Sequence, residues 1–223
     1  LLRGTWAQDF LMCIIIFTIV FGCSRALKET HLKRRLAWST VSNLAYILFG
    51  IVLMTPLGLT GAFSHMLCHA VMKICSFFCA GAVIYKTGRT YVHQLDGLGR
   101  KMPKVFVIFT IAAMALMGVP GLCGFIIKWN LAKGAVASHN PLAYVGIGAI
   151  LVSALLTAIY MLTIVVRAFF PGKDFDYGTL QDVKDANWMM LLPLCIFVLV
   201  IVFLGMHSQG MIDALTGVAE RSF

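Results

Sequence analysis

Long apolar stretches recur along this chain, and short polar connections separate them. A helix needs about 20 mainly apolar residues to cross the hydrocarbon core of a bilayer. Six stretches have that length, and each predicts one transmembrane helix. They cover residues 10–27, 36–54, 61–84, 105–131, 142–169 and 188–206.

The fourth stretch contains a proline followed by a glycine, Pro120 and Gly121. Proline lacks a backbone N–H, and its ring clashes with the preceding helical turn. The backbone groups that such a break releases cannot face lipid, so they must be buried in protein or line a water-filled cavity. The pattern therefore predicts an all-α, polytopic membrane protein with about six transmembrane helices, the fourth broken at Pro120–Gly121.

The composition agrees, because only 12% of the residues are charged, against about 25% in soluble domains. The 18 basic residues are also unevenly placed. Thirteen lie in the first, third and fifth connections, three in the other connections and the termini, and two within the spans. Basic connections stay in the cytoplasm, so we predict that both termini lie outside. The net charge of +9 is then a topology signal, and no nucleic acid is expected as a partner.

The seven cysteines all lie in or beside apolar stretches, which favours inert thiols over disulfides. Cys75 and Cys79 are four residues apart, but no second pair of cysteines or histidines completes a zinc pattern. We therefore predict no metal site. The chain also lacks a glycine-rich nucleotide loop and a cysteine cluster for iron–sulfur, so no cofactor is expected.

Three titratable residues share one face of the third predicted helix. His65, His69 and Lys73 follow one another at intervals of four residues and form a stripe about 12 Å long, which Ser64 and Ser76 extend. A buried histidine can simply bond to a neighbouring helix. Three such groups in a row, in spans without any Asp or Glu, instead favour a path that accepts and releases protons.

Lys128 follows the break in the fourth stretch. A lysine at the bilayer centre costs about 2.5–3.5 kcal/mol on insertion scales, so it indicates function by default. Water that enters at the break would bond to the released backbone groups and would also make the charge of Lys128 tolerable. The alternative is a simple kink with Lys128 extending to the outer surface, since it lies 24 residues after Lys104. In the second stretch, Ser42 and Asn43 belong to a small polar face that either packs against a neighbouring helix or holds water; its other members are Ser39 and Tyr46.

Three segments together resemble the antiporter-like, proton-translocating subunits shared by respiratory complex I, Mrp-type cation/proton antiporters and membrane-bound hydrogenases. HLKRRLAWSTVSNLAYILFG (31–50) resembles the family's basic connection and the helix after it. SHMLCHAVMKICSFFCAGAVIYKTG (64–88) resembles its histidine- and lysine-bearing helix. GVPGLCGFIIKW (118–129) resembles its broken helix. That segment departs from the family at three positions. The family has proline where this chain has Gly121, and serine where it has Cys123 and Ile127.

The resemblance implies a second inverted five-helix repeat over residues 1–170, a cytoplasmic loop over 171–187, and an additional transmembrane helix and C-terminal tail over 188–223. It implies that Lys128 communicates with the outer side, and that His65, His69 and Lys73 form the central relay. The family's first repeat, with the inner half-channel and a lysine–glutamate pair, is absent from this chain. We therefore expect a missing N-terminal half of the same subunit.

These observations predict the C-terminal part of a proton-translocating antiporter-like subunit in a bacterial plasma membrane. It would serve a redox-driven pump of the NADH:quinone oxidoreductase or hydrogenase type. Other membrane subunits are its expected partners, and any redox chemistry belongs to them. One alternative is a subunit of a Mrp-type Na⁺/H⁺ antiporter, and another is a structural subunit that transports nothing. The predicted relay residues are Lys128, Lys73, His69 and His65, supported by Pro120, Gly121, Ser42 and Asn43.

Overall fold

The computed structural model describes residues 3–172 and 175–222, and these fold into nine α-helices and two short 3₁₀ helices. The α-helices are α1 (Trp6–Lys28), α2 (Leu32–Val52), α3 (Pro56–Thr87), α4 (Leu98–Lys101), α5 (Pro103–Met117), α6 (Cys123–Ala137), α7 (Pro141–Phe169), α8 (Trp188–Met206) and α9 (Gln209–Glu220). The 3₁₀ helices cover Val92–Leu95 and Tyr177–Leu180.

Within the described residues, five helices are long and apolar enough to cross a membrane: α1, α2, α3, α7 and α8. The sixth crossing is shared between α5 and α6, which have 15 residues each. A helix of that length is about 22 Å long, shorter than a hydrocarbon core of about 30 Å. Two half-length helices thus replace one continuous helix, and the predicted all-α, polytopic fold is confirmed.

The break between α5 and α6 lies where the sequence placed it. Gly118 and Gly121 have φ angles of 94° and 87°, a left-handed conformation that glycine adopts without strain. Pro120 lies between them. Gly124, in the first turn of α6, packs so closely on the last turn of α5 that a Cβ there would overlap the carbonyl oxygen of Ala115. The glycines therefore allow the chain to turn and the two half-helices to touch.

Two details expected from the sequence differ in the structure, and the C-terminal tail adds a third feature. The residues Pro56, Leu57 and Gly58 favour an end to the second stretch followed by a short turn. In the structure Pro56 is instead the first residue of α3, after an N-cap at Thr55 whose hydroxyl accepts the N–H of Gly58. Pro193 is near the start of the sixth stretch, where a missing N–H is expected to do little harm. In the structure it lies in the second turn of α8, where a backbone N–H would normally bond to a carbonyl within the helix. The C-terminal tail contains a helix, α9, which packs on α3 through a hydrogen bond between Thr60 and Thr216.

The three connections rich in basic residues meet at one end of the bundle. Leu32 donates its N–H to the carbonyl of Thr90, which joins the first connection to the third. Arg167 lies 3.4 Å from Asp96 and joins the third connection to the end of α7. Glu29 accepts the N–H of His31, and this bond, helped by nearby Arg34, holds the pKa of Glu29 below its usual value. Lys173, also counted in the fifth connection, lies outside the described residues.

The opposite end of the bundle joins the start of α1 to two other connections. Gln8 donates its side-chain amide to the carbonyl of Val52, and Asn140 donates to the carboxylate of Asp9 at 2.9 Å. Between the two ends, α3 is the central helix and packs against α2, α5, α6, α8 and α9. It therefore places its polar face inside the bundle.

Candidate functional site

The polar face of α3 is buried. His65, His69 and Lys73 have 0%, 4% and 6% of their surface exposed. The rings of His65 and His69 stack with their centroids 5.7 Å apart, and the ring of Tyr46 meets that of His65 edge-on at 5.2 Å. The four-residue spacing therefore produces a continuous row, with aromatic packing that fixes the position of the two imidazoles.

Neither imidazole has a hydrogen-bond partner among the described residues, although all four ring nitrogens are buried. Buried polar atoms in native proteins are almost always bonded, to protein or to ordered water. In a neutral imidazole one nitrogen donates a hydrogen bond and the other accepts one, so each ring needs two partners. The two rings therefore present four positions to which water can bond, in the middle of an apolar bundle.

Lys73 ends the row at its α2 side. Its ammonium donates to the carbonyl of Leu36 at 3.0 Å and to the hydroxyl of Ser39. No carboxylate balances the charge, since the described membrane-spanning core around it contains no Asp or Glu. The charge of Lys73 is thus accommodated by dipoles alone, and its electrostatic influence reaches His69.

Lys128 ends the row at the broken helix. Its ammonium donates to the carbonyls of Leu116 at 2.9 Å and Met117 at 2.7 Å. These carbonyls belong to the last turn of α5, where a helix leaves backbone acceptors without internal partners. A cation there also interacts favourably with the negative end of the helix dipole. The charge of Lys128 acts on His65.

The structure thus places His65, His69 and Lys73 along one buried face of α3 and brings Lys128, from α6, within electrostatic range of His65. The break at Pro120 and Gly121 contributes differently from what the sequence suggested. Both residues lie on the exposed side of the break, and the backbone of Gly121 is approached by Gly205 of α8, where a Cβ would overlap its carbonyl oxygen. The groups freed by the break are bonded in part by Lys128 itself.

The predicted supporting hydroxyls and amide lie elsewhere. Ser42 donates to the carbonyl of Ile19 on α1, away from the α3 row. Asn43 donates to the carbonyl of Ser39 in its own helix. Ser64 and Ser76 likewise bond to carbonyls of α3 and are not continuations of the row. Among the α2 residues, Ser39 is the one whose side chain contacts Lys73.

Helix α7 supplies polar groups that the sequence reading missed. The Tyr160 hydroxyl donates to Thr157 at 3.2 Å and interacts with the hydroxyl of Ser39. Ser153 lies 2.7 Å from the thiol of Cys23 and 3.2 Å from the hydroxyl of Ser42. The signal was present as a polar set at positions 153, 157 and 160, one helical face of an otherwise apolar stretch. This α7 cluster meets the row at Ser39.

One further buried polar group lies on α6, after Lys128 in sequence. Asn130, two residues later in α6, is 92% buried, and its amide nitrogen has no partner among the described residues. It was not singled out from the sequence, although it is a rare polar residue in that stretch. Its amide gives the interior of the bundle another position where water can bond.

Groups of three or more metal-ligating side chains are absent from the part of the chain that the structure describes. The cysteines are free thiols, and five of the seven are buried. The chemistry available at this site is therefore that of lysine, histidine and hydroxyl groups: accepting, holding and releasing protons.

Comparison with known proteins agrees with this fold. Residues 1–157 match the family model described as the transmembrane region of NADH:quinone oxidoreductase and Mrp antiporters. NADH-quinone oxidoreductase subunit N of Desulforudis audaxviator is 32% identical over 204 residues, which cover 87% of this chain and 40% of that protein. The chain spans about two fifths of the length of the first curated relatives that it matches.

Two solved structures share the fold. Respiratory complex I from Thermus thermophilus contains a chain with a TM-score of 0.84 at 23% identity, covering 96% of this chain and 44% of that one. The Mrp complex from Dietzia sp. gives a TM-score of 0.83 at 23% identity, covering 95% and 46%. The buried lysine–histidine row thus lies in a known helical architecture, and the chain belongs to the NADH:quinone oxidoreductase/Mrp antiporter family of membrane subunits.

Proposed function

We propose that this chain is the C-terminal part of a proton-translocating antiporter-like subunit in a redox-driven pump. Protons pass along the row formed by Lys73, His69, His65 and Lys128, with water completing the steps. The redox chemistry belongs to partner subunits, and an N-terminal half of the same subunit supplies the inner half-channel. In this proposal the membrane is a bacterial plasma membrane, and the basic end of the bundle faces the cytoplasm.

The single observation that carries the proposal is the pair of buried imidazoles between two ammonium groups, that of Lys73 buried and that of Lys128 partly buried. The four imidazole nitrogens lack partners in the described protein, and both ends of the row can hold a charge. A row that only packed helices together would have its polar atoms bonded to protein, because an unbonded buried polar group is costly. Water between titratable groups is what a proton path requires.

In this proposal the row also has a direction. A proton that arrives at Lys73 raises the positive potential at His69 and then at His65, which Lys128 also influences. Like charges repel strongly where the dielectric is low. Charging the Lys73 end therefore favours loss of the proton from Lys128, at the break. In the proposed topology that proton leaves towards the outer side.

The redox-driven pump is preferred to the Mrp-type antiporter because the curated relative at 32% identity is described as a subunit of NADH-quinone oxidoreductase. The solved Mrp complex supports the second candidate through its fold. Proton flux in vesicles containing the full assembly separates the two. We expect flux to require an electron donor and to be independent of Na⁺. Flux that requires Na⁺ and needs no donor would assign the chain to the antiporters.

Lys73→Met tests the row itself, in the full assembly. Methionine keeps much of the side-chain volume but cannot carry a proton, so we expect proton pumping to fall close to background. Lys86→Met is the matched control, since Lys86 lies on the same helix and bonds to Asn187 at the basic end. Equal loss in both variants, or no loss in either, would indicate a structural subunit whose row does not conduct.

A further inference from the structure

Two hollows adjoin at the end of the bundle that carries few basic residues. One is an apolar groove of about 560 Å³, and the other is a polar pocket of about 250 Å³. His139, in the connection between α6 and α7, lines both of them. Its φ angle of 53° is left-handed, a conformation that is uncommon for residues other than glycine. The two hollows therefore form one elongated depression with an apolar part and a polar part.

The apolar groove has the walls of a hydrocarbon-binding surface. Leu57 of α3, Trp129 and Val136 of α6, and Ile147 of α7 line it, and all but Ile147 are large side chains left exposed by the fold. Its volume lies in the range of about 300–1,000 Å³ that is usual for sites that bind small molecules. A groove between three helices with such walls fits an acyl chain.

The groove opens at the end of the bundle, the level at which lipid headgroups would lie in a bilayer. Lys133 and His139 line it in the last turns of α6 and the following connection, where the helices of the bundle end. Trp129 is more than half exposed one turn below Lys133. Tryptophan is enriched at membrane–water interfaces, where its ring is apolar and its N–H is polar.

The polar pocket continues from His139 towards the start of α1. Arg3, Gln8 and Asp9 line it together with Asn140. Asp9 is the one acid among these residues, and its carboxylate accepts a hydrogen bond from Asn140. The pocket thus contains one guanidinium, that of Arg3, and one carboxylate, and the two hollows together hold two basic side chains and one acid.

The placement of these cations is selective. Outside the predicted spans, the sequence assigns three basic residues to this end, Arg3, Lys133 and Arg221, against thirteen assigned to the other end. Two of the three line the same depression, and the third, after α9, does not. Basic residues near an anionic lipid each contribute attraction of about 1 kcal/mol. A cation-poor end that gathers its cations around an apolar groove has the charge pattern of an anionic lipid site.

We propose that this depression binds an anionic phospholipid, with an acyl chain in the groove beside Trp129 and the phosphate group between Lys133 and Arg3. His139 separates the two parts and lies at the level of the glycerol backbone. This proposal does not depend on proton translocation by the Lys73–Lys128 row, because none of the lining residues belongs to that row.

Native mass spectrometry of the full assembly, purified with phosphatidylglycerol and phosphatidylcholine, tests the charge requirement. We expect phosphatidylglycerol to be retained in preference. Arg3→Gln and Lys133→Gln should each weaken its retention about fivefold, and the double variant about 25-fold. Arg221→Gln is the matched control and should change nothing. Equal retention in the double variant, or equal loss in the control, would overturn the proposal.

Two further variants test the groove. Ala132→Phe fills it from the partly exposed face of α6 and should reduce retention of both lipids. Val136→p-benzoylphenylalanine should form a photoadduct with phospholipid in vesicles of the same composition. A photoadduct with another protein subunit, or with a different segment of this subunit, would show that the groove is a protein interface and would refute the lipid site.

Discussion

The two lysines at the ends of the row hold their charges in different ways. Lys73 belongs to the continuous helix α3 and must find its acceptors on a neighbouring helix, one of them a side-chain hydroxyl, that of Ser39. Lys128 belongs to a half-helix and finds two backbone carbonyls that the break has released, those of Leu116 and Met117. The break is thus a means of providing acceptors for an ammonium group without a carboxylate.

This difference predicts where each end is vulnerable. A single side-chain substitution can remove an acceptor of Lys73. The acceptors of Lys128 are main-chain atoms, so they can be removed only by changing how α5 and α6 meet. Glycines at that junction should therefore matter more than any polar residue near Lys128, and substitutions can be ranked by which end they affect.

The largest effect is expected from Gly124→Ala. The added Cβ would overlap the carbonyl oxygen of Ala115, a backbone atom that cannot rotate away, so α5 and α6 must separate. Overpacking of this kind costs about 3 kcal/mol or more when backbone has to move. We expect poor accumulation of the folded subunit and loss of pumping, measured by thermal unfolding in detergent and by proton flux.

Gly148→Ala is the control for this substitution. Gly148 lies in α7 with open space where its Cβ would be, so alanine should stabilise that helix by about 0.5–1 kcal/mol. If Gly124→Ala also proved neutral, α5 and α6 would not touch as described, and the link between the break and Lys128 would fail.

Lys128→Arg should have the second largest effect, and it separates the two roles of this end. Arginine can still donate to the carbonyls of Leu116 and Met117, so the junction should remain folded. It stays protonated at any working pH, so it cannot release a proton. We expect normal assembly with pumping as low as in Lys128→Ala. Pumping at the wild-type rate would mean that Lys128 is a fixed charge that caps α5 and carries no proton.

Much of the fold followed from the sequence because a bilayer restricts the choices. The length of the apolar stretches predicted the long helices, and Pro120–Gly121 predicted the break. Both predictions hold because backbone groups inside a membrane must be hydrogen-bonded. Helix ends were less predictable. Pro56 was read as a stop, although proline at the first position of a helix is also favoured, and the side-chain cap from Thr55 shows which applies. The short α9 lacks the length that identifies a crossing.

The row in the site was predictable because its residues share one helix, where spacing determines the face. Contacts between helices were not predictable in the same way. Ser39 and Ser42 are three residues apart on α2, yet one contacts Lys73 and the other contacts α1 and α7. Which of the two serines faces α3 depends on how three helices pack together. The same reason hid the role of Tyr160, which reaches the site through Ser39.

A smaller effect is expected from Ser39→Ala at the other end. Lys73 loses one of its two acceptors and keeps the carbonyl of Leu36. A hydrogen bond to a charged group contributes about 1.5–3 kcal/mol, so the charged form of Lys73 becomes harder to reach. We expect slower pumping, with a folded and assembled subunit, in flux measurements on vesicles.

Ser76→Ala is the matched control for Ser39→Ala, because that buried hydroxyl bonds to the carbonyl of Met72 in its own helix. It should leave pumping unchanged. A result in which both variants pump like the wild type would show that the carbonyl of Leu36 is sufficient for Lys73, and the two ends would then be alike in relying on main-chain acceptors.

The smallest effect is expected from Tyr160→Phe, which tests whether the row continues into α7. The hydroxyl of Tyr160 donates to Thr157 and interacts with that of Ser39, while the ring is fully buried and keeps its packing as phenylalanine. Loss of one neutral hydrogen bond costs about 1 kcal/mol. We expect a slight fall in thermal stability and pumping close to that of the wild type, with Tyr144→Phe, on the exposed face of the same helix, as control. If Tyr160→Phe instead slows pumping as strongly as Lys73→Met, protons leave or enter the row through the α7 cluster, and Lys73 is a branch point rather than an end.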